Sequence, residues 1–81
     1  MKIFVARLDY SVSSDELKTV FEEYGSVTSC SVVLDKETGR SRGFGFVEMS
    51  DEDANLAIRQ LDQSEIRGRD IVVKPAEDKK R

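Results

Sequence analysis

Phe44 and Phe46 stand two residues apart in Arg42-Gly43-Phe44-Gly45-Phe46-Val47-Glu48-Met49, and Phe4 lies in a second apolar run, Ile3-Phe4-Val5-Ala6. Side chains alternate between faces along an extended chain. Phe44 and Phe46 therefore share a side with Arg42 and Glu48, and Gly43, Gly45, Val47 and Met49 share the other. Ring faces beside a guanidinium bind by stacking and by pairing with anions; they do not make or break bonds. Little else in the chain is equipped for catalysis. It contains no histidine, which removes the usual zinc partner and the usual proton shuttle near neutral pH. Cys30 is the single cysteine, reads as a small core residue, and rules out an intramolecular disulfide. Gly43-Phe44-Gly45 lacks the third glycine and the strand-to-helix setting of a dinucleotide loop. The reading is a binding module, not an enzyme, with no cofactor and no small-molecule substrate.

The elements that must hold these residues follow from periodicity. Lys2 to Leu8 reads as a strand. Ser13 and Glu16 have capping-box spacing, and Leu17, Val20, Phe21 and Tyr24 form the stripe of an amphipathic helix that Gly25 ends in a left-handed cap. Val27 to Leu34 is a second strand, residues 35–41 a polar loop, and Arg42 to Met49 a third strand. Ser50 or Asp51 caps a second helix with the stripe Ala54, Ala57, Ile58 and Leu61. Gly68 marks a turn, Ile71 to Lys74 is the fourth strand, and Pro75 ends it. Residues 1–76 form one domain, and the charged Glu77–Arg81 is read as a frayed tail. The order strand-helix-strand-strand-helix-strand is that of an α+β fold, an antiparallel sheet with both helices packed on one face.

Two helices cover only one face, yet the first and third strands are apolar on both. The glycines at 43 and 45 point to the covered face, because missing side chains let a helix approach. Phe4, Phe44 and Phe46 then face outward with no helix above them. A contiguous aromatic patch on a small domain marks a binding surface.

At these residues the chain resembles the RNA-recognition-motif family. Arg42 to Met49 is similar to the longer ribonucleoprotein motif, with Met49 replacing the aromatic at the last position. Ile3-Phe4-Val5-Ala6-Arg7-Leu8 resembles the shorter partner motif, with Arg7 where asparagine is usual. The resemblance implies a ferredoxin-like βαββαβ sandwich on whose sheet two or three bases of single-stranded RNA stack. It casts Phe4 and Phe44 as stacking platforms, Phe46 as packing against sugars, and Arg42 as pairing with a phosphate. Lys2, Val33, Val72 and Lys74 should line the same face. Arg7 and Arg40 are candidate phosphate contacts, and Tyr10 is assigned to loop packing. The likeness is greatest to short single-domain bacterial proteins, which implies a monomeric cytoplasmic regulator of transcripts; a fragment of a eukaryotic protein would allow the nucleus.

The net charge of −3 is unusual for such a partner. Residues 13–24 and 51–62, however, carry eight of the acids and only two bases, so the acidity falls on the helices. Lys36, Arg40, Arg42, Lys74, Lys79, Lys80 and Arg81 leave the sheet side electropositive. No apolar stretch approaches the roughly 20 residues that span a bilayer, and no membrane partner is expected. Two alternatives stay open: a protein-interaction module of the same fold, and a general binder of single strands, DNA included.

Overall fold

The computed structural model describes residues 1–76. The tail at 77–81, with Lys79, Lys80 and Arg81, lies outside the described residues. Eight elements follow in order: β1 (Lys2–Ala6), α1 (Ser14–Glu22), β2 (Val27–Leu34), β3 (Ser41–Met49), α2 (Asp51–Leu61), β4 (Glu65–Ile66), β5 (Arg69–Asp70) and β6 (Val72–Pro75). Strands β2-β3-β1-β6 form an antiparallel sheet, and β4 and β5 a separate short hairpin.

Both helices begin as their sequences dictate. The Ser13 hydroxyl accepts from the Glu16 N–H at 3.1 Å, and Ser50 caps α2 through the Asp53 N–H at 3.4 Å. Acidic first turns, Asp15-Glu16 and Asp51-Glu52-Asp53, suit the positive end of each helix dipole. Only half of the expected capping box forms. The Glu16 carboxylate turns away to Arg67, whose Nε lies 3.0 Å from both of its oxygens. A guanidinium fork offers that carboxylate more donors than one backbone N–H can. Gly25 is not the left-handed cap either. The C-cap is Glu23, in a right-handed conformation, while Gly25 has φ 157° where any Cβ would collide with the Asp53 side chain.

The apolar stripes meet as the periodicities require. Leu17 and Phe21 of α1, and Ala54, Ala57 and Leu61 of α2, pack on Ile3, Val5, Val47, Met49 and Val73 of the sheet. Val20, Tyr24 and Ile58 pack partly buried at the margin. Cys30 is half-buried, its thiol 3.5 Å from the Ser14 carbonyl. Burial above all pushes that thiol up from its ordinary pKa, which disfavours the nucleophilic thiolate.

Strand ends differ from expectation for local reasons. Strand β1 stops at Ala6 because Arg7 adopts φ 65°, yet Leu8 re-enters the core and its N–H donates to the Gly43 carbonyl at 2.9 Å. Strand β6 begins at Val72 and includes Pro75, which an edge strand tolerates. The β4–β5 hairpin is an addition to the expected elements. Arg67 and Gly68 both have positive φ, 53° and 83°, the requirement of a two-residue type I′ turn. Gly43 and Gly45 do face the helix side, for a different reason from the one expected. A Cβ on Gly45 would meet the β2 backbone at Ser31 and Val32, and one on Gly43 would press on the Tyr10 ring and the Leu8 carbonyl. The neighbouring strand and the β1–α1 loop, not a helix, exclude side chains there.

The loop joining β2 and β3 is tied by Asp35. One of its carboxylate oxygens accepts from the Glu37 N–H at 2.8 Å and the Thr38 N–H at 3.2 Å. These bonds, that from Glu37 foremost, hold the Asp35 carboxyl below its ordinary range. A depressed folded value means stabilisation present above the unfolded pKa and lost as pH falls through the folded one. The Glu37 and Thr38 amide resonances should therefore titrate with a midpoint below the usual aspartate value of about 3.9. A midpoint at or above that value would contradict these bonds.

Candidate nucleic-acid interface

The register sets the outer face in rows running across the strands. Ser31 of β2 is opposite Phe46 of β3, Phe46 opposite Phe4 of β1, and Phe4 opposite Lys74 of β6. The row on one side places Phe44, Ala6 and Val72 together; the row on the other aligns Ser29, Glu48 and Lys2. Val33 takes the same face, opposite in sense to core-facing Val32, beside an irregularity between Val32 and Leu34. Arg42 is exposed near the start of β3, separated from Phe44 by Gly43 at φ 84°.

The aromatic rings form one cluster and remain half-exposed. The Phe4 ring centroid is 5.8 Å from that of Phe44 and 5.6 Å from that of Phe46, at tilts of 46° and 50°. Phe44 and Phe46 are 6.3 Å apart with their planes perpendicular, at 90°. The Lys2 ammonium sits 5.5 Å from the Phe46 centroid, a cation over a ring face. Beside Phe46 opens a cleft of about 220 Å³ lined by Lys2, Ser29, Ser31, Val47 and Glu48.

Two expected contacts lie elsewhere. Arg40 borders a separate cleft with Asp9, Tyr10, Leu34 and Ser41, and Arg7 borders another with Gly68, Arg69 and Asp70. Neither cleft includes any of the three phenylalanines. The Tyr10 ring lies beside Gly43, but the residue is 68% exposed. The residues that the sequence reading passed over are Ser29, Ser31 and Glu48. Alternation already puts Glu48 on the aromatic face. A carboxylate on a surface suited to anions is the available signal, and it was legible in the sequence.

The RNA recognition motif family matches residues 3–72. RbpB of a Nostoc sp. is 51% identical over 98% of this chain and 81% of its own length. Among solved structures, the crystal structure of RNA binding protein PG1 superposes with a TM-score of 0.93. It is 46% identical and covers 100% of this chain and 99% of its own. A Sxl-lethal protein/RNA complex reaches a TM-score of 0.90 at 26% identity, covering 98% of this chain and 48% of its own. With both ribonucleoprotein-like motifs on adjacent central strands and this match across nearly the whole length, the chain belongs to the RNA recognition motif family.

Proposed function

We propose that this chain binds single-stranded RNA across the outer face of its sheet and acts in post-transcriptional regulation, as a non-enzymatic monomer. The observation that carries the reading is the cluster of three half-exposed phenylalanine rings on the side of the sheet that no helix among the described residues covers. The relationship to RNA binding protein PG1 and to a protein/RNA complex supports the same partner. The bacterial relative supports a cytoplasmic setting.

The rings divide the work. Phe44 and Phe46 are perpendicular, so a single strand cannot lay bases flat on both in the same pose. Phe46 is bordered by Lys2, Ser29, Ser31 and Glu48, groups able to hydrogen-bond a base edge. Phe44 has apolar neighbours, Ala6 and Val72, which suit a sugar. Phe4 and Phe46 are therefore the base platforms and Phe44 packs between sugars, an exchange of the roles that the resemblance implies for the two β3 rings. Arg42 pairs with a phosphate, and Lys74, beside Phe4, meets the backbone or a base on the β6 side. Val33 and Val72 extend the apolar floor. Arg7 and Arg40 are reached only by a longer strand that leaves the patch.

A titration of short single-stranded RNAs into isotope-labelled protein tests the reading. Amide shifts should concentrate in β1 and β3, and should largely vanish in Phe46→Ala. Among the described residues Lys2, Arg42 and Lys74 lie near the path, so at most about three phosphates are neutralised, and log Kd should change with log salt at a slope of no more than about 2. A steep slope together with full binding by Phe46→Ala would show that charge drives association. A matched DNA series tests the second reading, general single-strand binding, which is favoured by the fact that stacking alone does not sense the 2′-hydroxyl. A folded protein that shifts with neither polymer would instead direct attention to protein partners.

A further inference from the structure

We propose that the cleft beside Phe46 is a guanine subsite, with Glu48 as the residue that selects the base; this rests on the reading of the outer face as the RNA surface. Glu48 is an exposed carboxylate on the face that carries the three rings, Lys2 and Lys74. Lys2 stands directly opposite it in the register, yet among the described residues Glu48 forms no salt bridge and its carboxylate accepts no hydrogen bond. A free carboxylate repels phosphate, so at this point it weakens binding unless a donor-bearing group of the ligand meets it.

The neighbouring residues define which donors. Lys2, Glu48 and Ser29 lie side by side on β1, β3 and β2, in a line perpendicular to the strands and one step along β3 from the Phe46 row. Adjacent strands are about 4.8 Å apart, a spacing comparable to the width of a base edge. A base lying on Phe46 with its Watson–Crick edge toward that line meets an ammonium, a carboxylate and a hydroxyl in turn. The ammonium only donates, and the carboxylate only accepts, through two oxygens.

Guanine presents the complement: the O6 acceptor to Lys2, then the N1–H and N2–H donors to the two oxygens of Glu48, with Ser29 at the amino side. Adenine and cytosine each place a ring nitrogen lone pair against the carboxylate and a donor against the ammonium. Uracil matches at O4 and N3–H but brings a second carbonyl toward Glu48. The order is guanine first, uracil next, then adenine and cytosine.

The test is fluorescence anisotropy with the pentamers UUGUU, UUUUU, UUAUU and UUCUU, and with UUIUU, whose inosine lacks the N2 amino group. Wild type should bind UUGUU on the order of tenfold more tightly than UUAUU or UUCUU, a size typical of one bidentate base contact. The inosine pentamer should lose several-fold of that advantage. In Glu48→Gln, with an amide spectrum unchanged away from the site, the preference should shrink to within about twofold and the inosine effect should disappear. Equal binding of all pentamers by wild type, or a guanine preference that survives Glu48→Gln, overturns the assignment. If wild type binds them equally and Phe46→Ala abolishes that binding, only the guanine subsite fails. If wild type binds none of them, the RNA reading of the face fails with it.

Discussion

Phe21→Ala should remove a large part of the domain's folding stability. Phe21 is the largest fully buried side chain, 0% exposed, and joins α1 to the helix-facing side of the sheet. Truncating a buried phenylalanine costs about 3–5 kcal/mol, through lost transfer energy and the cavity left behind. A domain of this size commonly has only about 4–11 kcal/mol of total stability, taking roughly 0.05–0.15 kcal/mol per residue. Each kcal/mol corresponds to about 4–8 °C in Tm at this length, so the thermal midpoint should fall by at least about 12 °C. Circular dichroism melts of the two proteins measure it directly. A fall of less than about 5 °C would mean that the core re-closes around the missing ring, and that α1 is held mainly by its caps and by Glu16–Arg67.

The same contrast between faces explains what the sequence made legible. Period-two alternation placed Ile3, Val5, Val47 and Met49 inside and Phe4, Phe44 and Phe46 outside, and the structure agrees because a one-residue slip would invert every one of them. The helical stripes were equally secure, being anchored at Ser13 and Ser50 by side-chain caps. The β4–β5 hairpin was not legible, since strands of two residues are too short to show a period and only Gly68 stood out as a turn. The Glu16–Arg67 pair joins residues far apart in the chain, and no local pattern foretells it. The line formed by Lys2, Glu48 and Ser29 depends on two separate strand pairings, one of them shifted by an irregularity between Val27 and Ser29. Each side chain could be assigned to a face from the sequence, but their alignment across three strands required the register.

The double substitution Phe4→Ala/Phe46→Ala should remove RNA binding while leaving the domain folded. Both rings lie on the outer face, half-exposed, and neither belongs to the buried cluster beneath the helices. Their mutual contact at 5.6 Å is worth about 0.5–1.5 kcal/mol beyond area burial, so the thermal midpoint should fall far less than in Phe21→Ala. For binding, each base–ring stack contributes about 1–3 kcal/mol. Rings in contact are not independent, so the two losses need not sum, and the single variants must be measured alongside. Where the two losses do sum, to about 2–6 kcal/mol, affinity for a short single strand should fall by about thirtyfold or more, because two bases lose their platforms and few phosphate contacts remain. Isothermal titration of wild type, both single variants and the double variant measures this together with the coupling. A loss below tenfold in a protein with an intact amide spectrum would place the principal contacts elsewhere. The clefts beside Arg7 and Arg40, which lie off the aromatic patch, would then be the next surfaces to substitute.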